Sequence, residues 1–207
     1  MAKPSYIMKF ISGEREEVGK KKKVLSSPAV DLLEFKRLAQ SPKTLLVDGD
    51  WVRSPHKNST KLTLFCAVVI GGVVVPGVRV QINALREYPD KDVTIQLEFG
   101  SVIRTRIPIC RCDWRPFRTH SNGNLGPQDL RHIDLETHWH PFDLNAESIG
   151  HDAFAPDDSL PLALPILPEP GTVEEALLIA GKLLNIENTS EIPVPPWQYE
   201  MNMQNRR

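Results

Sequence analysis

The side chains best suited to chemistry are concentrated between residues 111 and 143, a stretch that holds four of the six histidines in the chain. If the segment RHIDLETHWH forms a strand, alternation places five polar residues on one face: His132, Asp134, Glu136, His138 and His140. Imidazoles titrate near neutral pH and carboxylates can orient them, so this row is suited to proton transfer in a cleft. His138 and His140 are then the catalytic groups, and His120 is an auxiliary donor. The alternative is that the row is the solvated face of an edge strand.

The same histidines are candidate ligands of a divalent metal. His138 and His140 are separated by one residue, close enough on a strand face to bind one ion together with a carboxylate from elsewhere. Neither His-Glu-x-x-His nor another diagnostic zinc motif is present. Cys110 and Cys112 also have one residue between them, whereas zinc-binding pairs usually have about two to four. Metal binding is therefore an alternative, and the main expectation is that the protein uses no cofactor.

A group of arginines accompanies the histidines. Between residues 92 and 181 the chain has six arginines and no lysine. Arginine binds phosphate or carboxylate through a planar fork of donors and stacks on aromatic rings, so RNA or a nucleotide would fit this region. The candidate residues for binding phosphate or a partner are Arg111, Arg115, Arg131 and Trp114. The alternative is that the arginines pair with the eight acidic residues of the segment 141–181.

Composition excludes several classes of protein. The chain has 207 residues, of which 41% are hydrophobic and 25% are charged, so fibrous and wholly disordered classes are excluded. No run of 18 apolar residues is present, and we expect no membrane partner. The first residues, MAKPSYIMKF, lack the apolar core of a secretory signal. We therefore expect a cytoplasmic protein whose three cysteines are reduced thiols.

The net charge of −1 is small because segments of opposite charge cancel each other. Residues 1–23 hold seven Lys or Arg and three Glu, a balance of +4, whereas residues 141–181 hold eight acids and no Lys or Arg. Overall neutrality therefore does not exclude a phosphate ligand, which would have to bind at a local patch of positive charge.

Proline, glycine and charge patterns predict one domain with three parts. Residues 1–26 are expected to be a basic flexible arm, and residues 27–155 an α+β core that contains the sheet. Residues 156–207 are expected to be a proline-rich connector, a C-terminal helix and a tail of the same domain.

Capping residues predict a helix near each end of this domain. Ser27 and Pro28 suit the N-cap and first position of one helix, and Thr172 with Glu175 forms the capping box of another. Between them, short β-rich runs alternate with turns of Gly, Pro and Asp, and the connections are short. The predicted fold class is α+β: an antiparallel β-meander sheet of about five to seven strands, flanked by two helices, in a single domain.

Three short motifs resemble those of a known group of proteins. Arg111-x-Asp113, His120-x-Asn122 and His132-Ile133 are similar to a pattern in small uncharacterised bacterial domains from toxin–antitoxin and phage-defence loci, including TumE-like toxins. The resemblance spans about 30 of the 207 residues. It implies an intracellular protein of a mobile or defence locus, with a protein partner from the same locus and a possible action on RNA.

The sequence favours a binding function, because dispersed histidines and arginines without a diagnostic motif are more often structural than catalytic. We expect a non-catalytic adaptor that recognises its partner through an arginine and aromatic surface. One alternative is a metal-independent phosphodiesterase that acts on nucleic acid through His138 and His140, with arginines clamping the phosphate. The other is a metal-dependent hydrolase.

Overall fold

The computed structural model of this protein describes residues 31–56, 59–100, 106–155 and 160–198. The predicted basic arm, residues 1–26, and the predicted N-cap, Ser27, lie outside these ranges. The described residues form an antiparallel sheet with helices packed against it, which confirms the α+β class.

Three α-helices are present in the described residues: α1 (Leu32–Gln40), α2 (Phe142–Ser148) and α3 (Val173–Leu184). Helix α1 is capped by Asp31, whose carboxylate accepts hydrogen bonds from the backbone N–H groups of Leu33 and Glu34. In the described residues this helix therefore begins at Leu32, with Asp31 as its N-cap. Helix α2 was not predicted from the sequence.

The Thr172 N-cap predicted for α3 is confirmed, and the reciprocal hydrogen bond of the capping box goes to Gly171, one residue before the cap. The Thr172 hydroxyl accepts a hydrogen bond from the backbone N–H of Glu175, and the Glu175 carboxylate accepts one from the N–H of Gly171. The helix ends at Asn185, which adopts the left-handed conformation with φ of 54°.

The described part of the chain contains ten strands: β1 (Thr44–Leu46), β2 (Val52–Arg53), β3 (Lys61–Ile70), β4 (Val73–Leu85), β5 (Val93–Phe99), β6 (Ile107–Trp114), β7 (His120–Ser121), β8 (Asp134–Leu135), β9 (His138–His140) and β10 (Leu164–Pro165). The main sheet has the order β1-β3-β4-β5-β6-β9-β10, and β2 also pairs with β3. Strands β3 to β6 are neighbours in sequence and in space, as in a meander. Strands β7 and β8 form a separate two-stranded ribbon.

The main sheet has one apolar face and one polar face. Alternate residues of β3 to β6, such as Leu64, Val80 and Ile95, are buried in the core that also contains α1 and α3. The intervening residues of the same strands point to the opposite face. Their register aligns them in two rows that each cross five strands. The first row is Thr63, Asn83, Thr94, Asp113 and His138, and the second is Phe65, Gln81, Gln96, Arg111 and His140.

All three cysteines are free and buried, in agreement with the prediction of reduced thiols. Burial raises the pKa of Cys66 to about 11 and the pKa of Cys110 to about 12. Because the thiolate is the reactive form, these thiols are chemically inert at neutral pH.

Lys43 joins the carboxyl ends of α1 and α3. Its side-chain ammonium, in a residue only 2% exposed, donates to the carbonyl oxygens of Ala39 and Leu184. These carbonyls belong to the last turns of the two helices, where the helix dipole favours a cation. Burial nevertheless lowers the pKa of Lys43 to about 8, against a smaller opposing effect of Cys110.

Lys43 should make the free energy of unfolding rise with pH between about 8 and 10.5. In this window the folded protein has released the Lys43 proton while the unfolded chain still binds it, so rising pH favours the folded state. Below the window both states are protonated and the slope vanishes. Urea unfolding from about pH 7 to 10 should show the stability of the native protein increasing relative to Lys43→Met. A difference between the two proteins that stays constant with pH would contradict this assignment.

Gly181 allows α3 to pack closely against the segment that follows it. A β-carbon at this position would lie 2.7 Å from Cγ2 of Thr189 and 3.0 Å from the carbonyl oxygen of Ile186. Gly181→Ala should therefore lower the free energy of unfolding by about 1–2 kcal/mol, because overpacking outweighs the helix preference of alanine. Gly49→Ala is the matched control, since nothing lies within 4 Å of its added carbon. Equal stability of the two variants in urea unfolding would refute the argument.

Candidate functional site

Residues 160–163, here called the strap, are held in place by two buried asparagines. Asn122 accepts the N–H of Ala163 at 2.8 Å and donates to the carbonyl of the same residue at 3.0 Å. Asn145 does the same for Leu162, at 3.0 Å and 2.8 Å. Each asparagine therefore binds both polar backbone groups of one strap residue, which have no partner in a strand.

The strap in turn supplies hydrogen-bond acceptors to two histidines. Nδ1 of His140 lies 3.1 Å from the carbonyl oxygen of Leu162, and Nε2 of His120 lies 3.0 Å from that of Pro161. Since a carbonyl only accepts, these two ring nitrogens carry hydrogens. Oδ1 of Asn122, 3.2 Å from the same nitrogen of His120, is an acceptor as well. In the neutral rings the free lone pairs are therefore on Nε2 of His140 and Nδ1 of His120.

Strand β9 places His138 beside His140 on the polar face of the sheet. Nδ1 of His138 donates to the carbonyl oxygen of Glu136, which leaves Nε2 as the acceptor of the neutral ring. The ring centroids of His120, His138 and His140 are 4.8–5.1 Å apart. One ring nitrogen from each lies within 4.8 Å of the others. His138 and His140 are 3% and 0% exposed, and His120 is half-buried.

Asp113 on β6 completes this cluster. Its Oδ2 lies 3.4 Å from Nε2 of His138 and 3.4 Å from Nε2 of His140. Thr94 donates to Oδ1 and Nε of Arg111 donates to Oδ2, both at 2.7 Å. Burial opposes ionisation, but hydrogen bonds from the imidazoles of His138 and His140, when these carry a proton on Nε2, and the Arg111 guanidinium outweigh it and hold the pKa of Asp113 well below its usual range.

Two imidazoles of the cluster, those of His140 and His120, are poor proton acceptors. Burial is the largest reason that the pKa of His140 falls to about 4, and burial also lowers the pKa of His120. Neutral His140 accepts a hydrogen bond on Nε2 from Nη2 of Arg111 at 2.8 Å. At neutral pH the cluster therefore presents a neutral His140 and one carboxylate to the space between them, a set of donors suited to a cation.

Of the residues predicted from the sequence, the structure brings His120, His138, His140 and Arg111 together. Arg131 lies apart: it is exposed and donates to the carbonyl oxygen of Gly126 at 2.9 Å.

Arg115 and Trp114 are engaged elsewhere in the chain. Arg115 pairs with Glu169 at 2.7 Å and lies over the Trp114 ring, and the Trp114 indole N–H donates to the carbonyl oxygen of Pro170 at 3.0 Å. Pairing with the acidic segment 141–181, the alternative to phosphate binding, is therefore observed for Arg115.

The prediction that RHIDLETHWH forms one strand is wrong. His132 has a positive φ of 57°, which a continuous strand does not allow. The chain then forms β8 in the ribbon before β9 joins the main sheet, and His132, Asp134 and Glu136 are exposed. Alternation holds within β9, so the prediction that His138 and His140 share a face is confirmed.

Three residues of the site were not among those predicted. Asp113 follows Arg111 by two positions, so strand alternation alone places both on one face. This pattern could have indicated that Asp113 belongs to the site. Thr94 and Asn145 carry no such signal, because their partners lie on other elements: Thr94 binds Asp113 on β6 and Asn145 binds the strap.

No protein-family model matches this chain, and neither a curated protein nor a solved structure matches it. The resemblance to TumE-like toxins stays a prediction from its motifs. Among the described residues, no helix combines the length and the apolar character that crossing a membrane requires. Function is therefore argued from the chemistry of the site.

Asn122 should be essential for the stability of the strap. Asn122→Ala leaves the N–H and carbonyl of Ala163 without their partner in a buried place, so the free energy of unfolding should fall by about 2–3 kcal/mol. Asn124→Ala, two residues along the same loop but exposed, should change it by less than about 0.5 kcal/mol. Urea unfolding compares the two, and similar effects of both variants would argue against the role of Asn122.

Proposed function

We propose that the protein is a metal-dependent hydrolase whose divalent cation is held by His120, His138, His140 and Asp113. One observation carries the proposal: Nε2 of His138 and Nε2 of His140 each lie 3.4 Å from the same oxygen of Asp113. When the rings are neutral, all three atoms have lone pairs that face one another. Such an arrangement is repulsive without positive charge beside it. In this structure the Arg111 guanidinium supplies that charge to Oδ2 of Asp113 and to Nε2 of His140, and a divalent cation would supply it to all three atoms.

The spacing supports a first-row metal ion. Ligands held about 2.0–2.1 Å from zinc in a tetrahedron are about 3.4 Å from one another. The two distances from Asp113 to the imidazoles have this value. His120 is the third histidine of the set, since one of its ring nitrogens lies within 4.8 Å of a ring nitrogen of each of the other two.

The hydrogen-bond acceptors of the second ring nitrogens also support a metal site. Metal-binding histidines almost always donate their second ring N–H to a carbonyl or carboxylate, which fixes the ring and directs the other nitrogen to the ion. Backbone carbonyls perform this function for all three rings: those of Glu136 for His138, Leu162 for His140 and Pro161 for His120.

Hydrolysis is the chemistry that such a site supports. A zinc ion held by these residues would lower the pKa of a bound water molecule to near neutral and would thereby supply a nucleophile for the hydrolysis of an ester. His120 and Arg111 are partly exposed, so water and substrate can approach from their side. A surface cavity of about 190 Å³ lies further along the same row of the sheet and is lined by Thr94 and Asn83.

Direct proton transfer by His138 and His140 has less support. Both side chains are almost fully buried, so a substrate cannot contact their nitrogens in this structure. A cation held by these residues would not require this contact, because it would supply a bound water molecule as the nucleophile. The adaptor role, the metal-independent phosphodiesterase, a partner from the same locus and a cytoplasmic location stay predictions.

Metal binding and hydrolysis test the proposal together. The purified protein, stripped with a chelator, should bind about one equivalent of Zn²⁺ or Mn²⁺ in calorimetric titration and then hydrolyse a nitrophenyl ester. His138→Ala and His140→Ala should each weaken metal binding at least 100-fold, by analogy with the loss of other ligand-shell groups, whereas exposed His132→Ala should bind as the native protein does.

Circular dichroism of the same variants separates loss of the site from loss of the fold. Native affinity in His140→Ala would refute the metal site. A loaded protein that hydrolyses no ester would refute the hydrolase and leave the metal site intact.

A further inference from the structure

Arg111 occupies the positions that the cation requires. Its Nη2 donates to Nε2 of His140 at 2.8 Å, and its Nε donates to Oδ2 of Asp113 at 2.7 Å. The other nitrogen of His140 is engaged with the carbonyl of Leu162, so Nε2 has the only lone pair that this ring can offer. A guanidinium and a metal ion cannot both use that lone pair.

We infer that the cation displaces Arg111 from His140 and that the released guanidinium then binds a phosphate group of the substrate. This inference rests on the proposed function and specifies its substrate class, a phosphate ester. It also assigns two roles to Arg111, a competitor of the metal in the unloaded protein and a substrate-binding residue in the loaded one.

The released guanidinium has no other carboxylate to pair with among the main strands of the polar face. Strands β3, β4, β5, β6 and β9 contain two acidic residues, Asp113 and Glu98. Glu98 is 2% exposed and already accepts hydrogen bonds from Arg79 and Gln96. The place left for a partner of Arg111 is therefore on the solvent side, where 26% of its side chain is exposed.

Charge balance indicates an anion at this place. Without the metal, the positive Arg111 and the negative Asp113 neutralise each other. A divalent cation adds two positive charges to this pair, and a site with that excess favours an anionic ligand. A phosphate ester is negatively charged, and it can place one oxygen on the metal and another on the guanidinium fork. A neutral carboxylic ester needs no such partner.

Zinc affinity with and without phenylphosphonate, a stable analogue of a phosphate ester, tests the inference. In buffer without the phosphonate, Arg111→Met should bind Zn²⁺ about tenfold more tightly than the native protein, because the competing hydrogen bonds are absent. Arg115→Met is the matched control, since Arg115 pairs with Glu169, and it should bind Zn²⁺ as the native protein does. Arg111→Lys keeps the charge but not the fork, so its affinity should be intermediate.

The titrations with phenylphosphonate test the second role of Arg111, the binding of a phosphate group. Phenylphosphonate should raise the zinc affinity of the native protein about tenfold and that of Arg111→Met less than about twofold. Arg111→Met should also slow hydrolysis of nitrophenyl phosphate by the zinc-loaded protein more than it changes hydrolysis of nitrophenyl acetate, which carries no phosphate group.

Each contrary result has a distinct meaning. Equal zinc affinity of Arg111→Met, Arg111→Lys and the native protein, all folded by circular dichroism, would overturn the competition while leaving the metal site in place. An equal effect of phenylphosphonate on Arg111→Met and the native protein would overturn the phosphate-binding role. Failure of the native protein to bind zinc would refute the proposed function and this inference with it.

Discussion

The hydrogen bonds of the strap are the interaction on which the site depends. Residues 160–163 are largely buried without joining a strand, and the polar backbone groups of Leu162 and Ala163 need partners from side chains. Asn122 and Asn145 provide them, and each is itself almost fully buried. The strap can then present its carbonyls to His120 and His140, which sets the orientation of both rings. The hydrogen bonds that hold the strap in place therefore also fix the orientation of the histidines of the site.

The two faces of the sheet have different roles: the apolar face stabilises the fold, and the polar face carries the candidate site. Helices α1 and α3 cover the apolar face, where burial of Val, Ile and Leu side chains stabilises the fold. The opposite face is left for polar residues, and the antiparallel register aligns them across strands. Thr94, Asp113 and His138 are distant in sequence, yet they are successive members of one row. A rigid sheet thus positions groups that a loop would hold less accurately.

Asp113 shows how a carboxylate is stabilised at this depth. A buried negative charge is costly unless hydrogen bonds and a counter-charge compensate for it. Thr94 and Arg111 provide both, one on each carboxylate oxygen, and the imidazoles of His138 and His140 lie on the remaining side. The same constraint explains why Arg111 is drawn inward, in contrast to Arg115, which pairs with Glu169 at a partly exposed position.

The sequence by itself determined the features that depend on neighbouring residues. The Thr172 N-cap of α3, the β-rich meander and the shared face of His138 and His140 follow from contacts or alternation over a few positions, and the structure confirms them. Only the tertiary structure decided which distant residues meet. Asn122 binds Ala163 across 41 positions, and Thr94 binds Asp113 across 19. Such pairs are selected by strand register and by the need to satisfy buried polar groups, and neither constraint leaves a local pattern in the sequence.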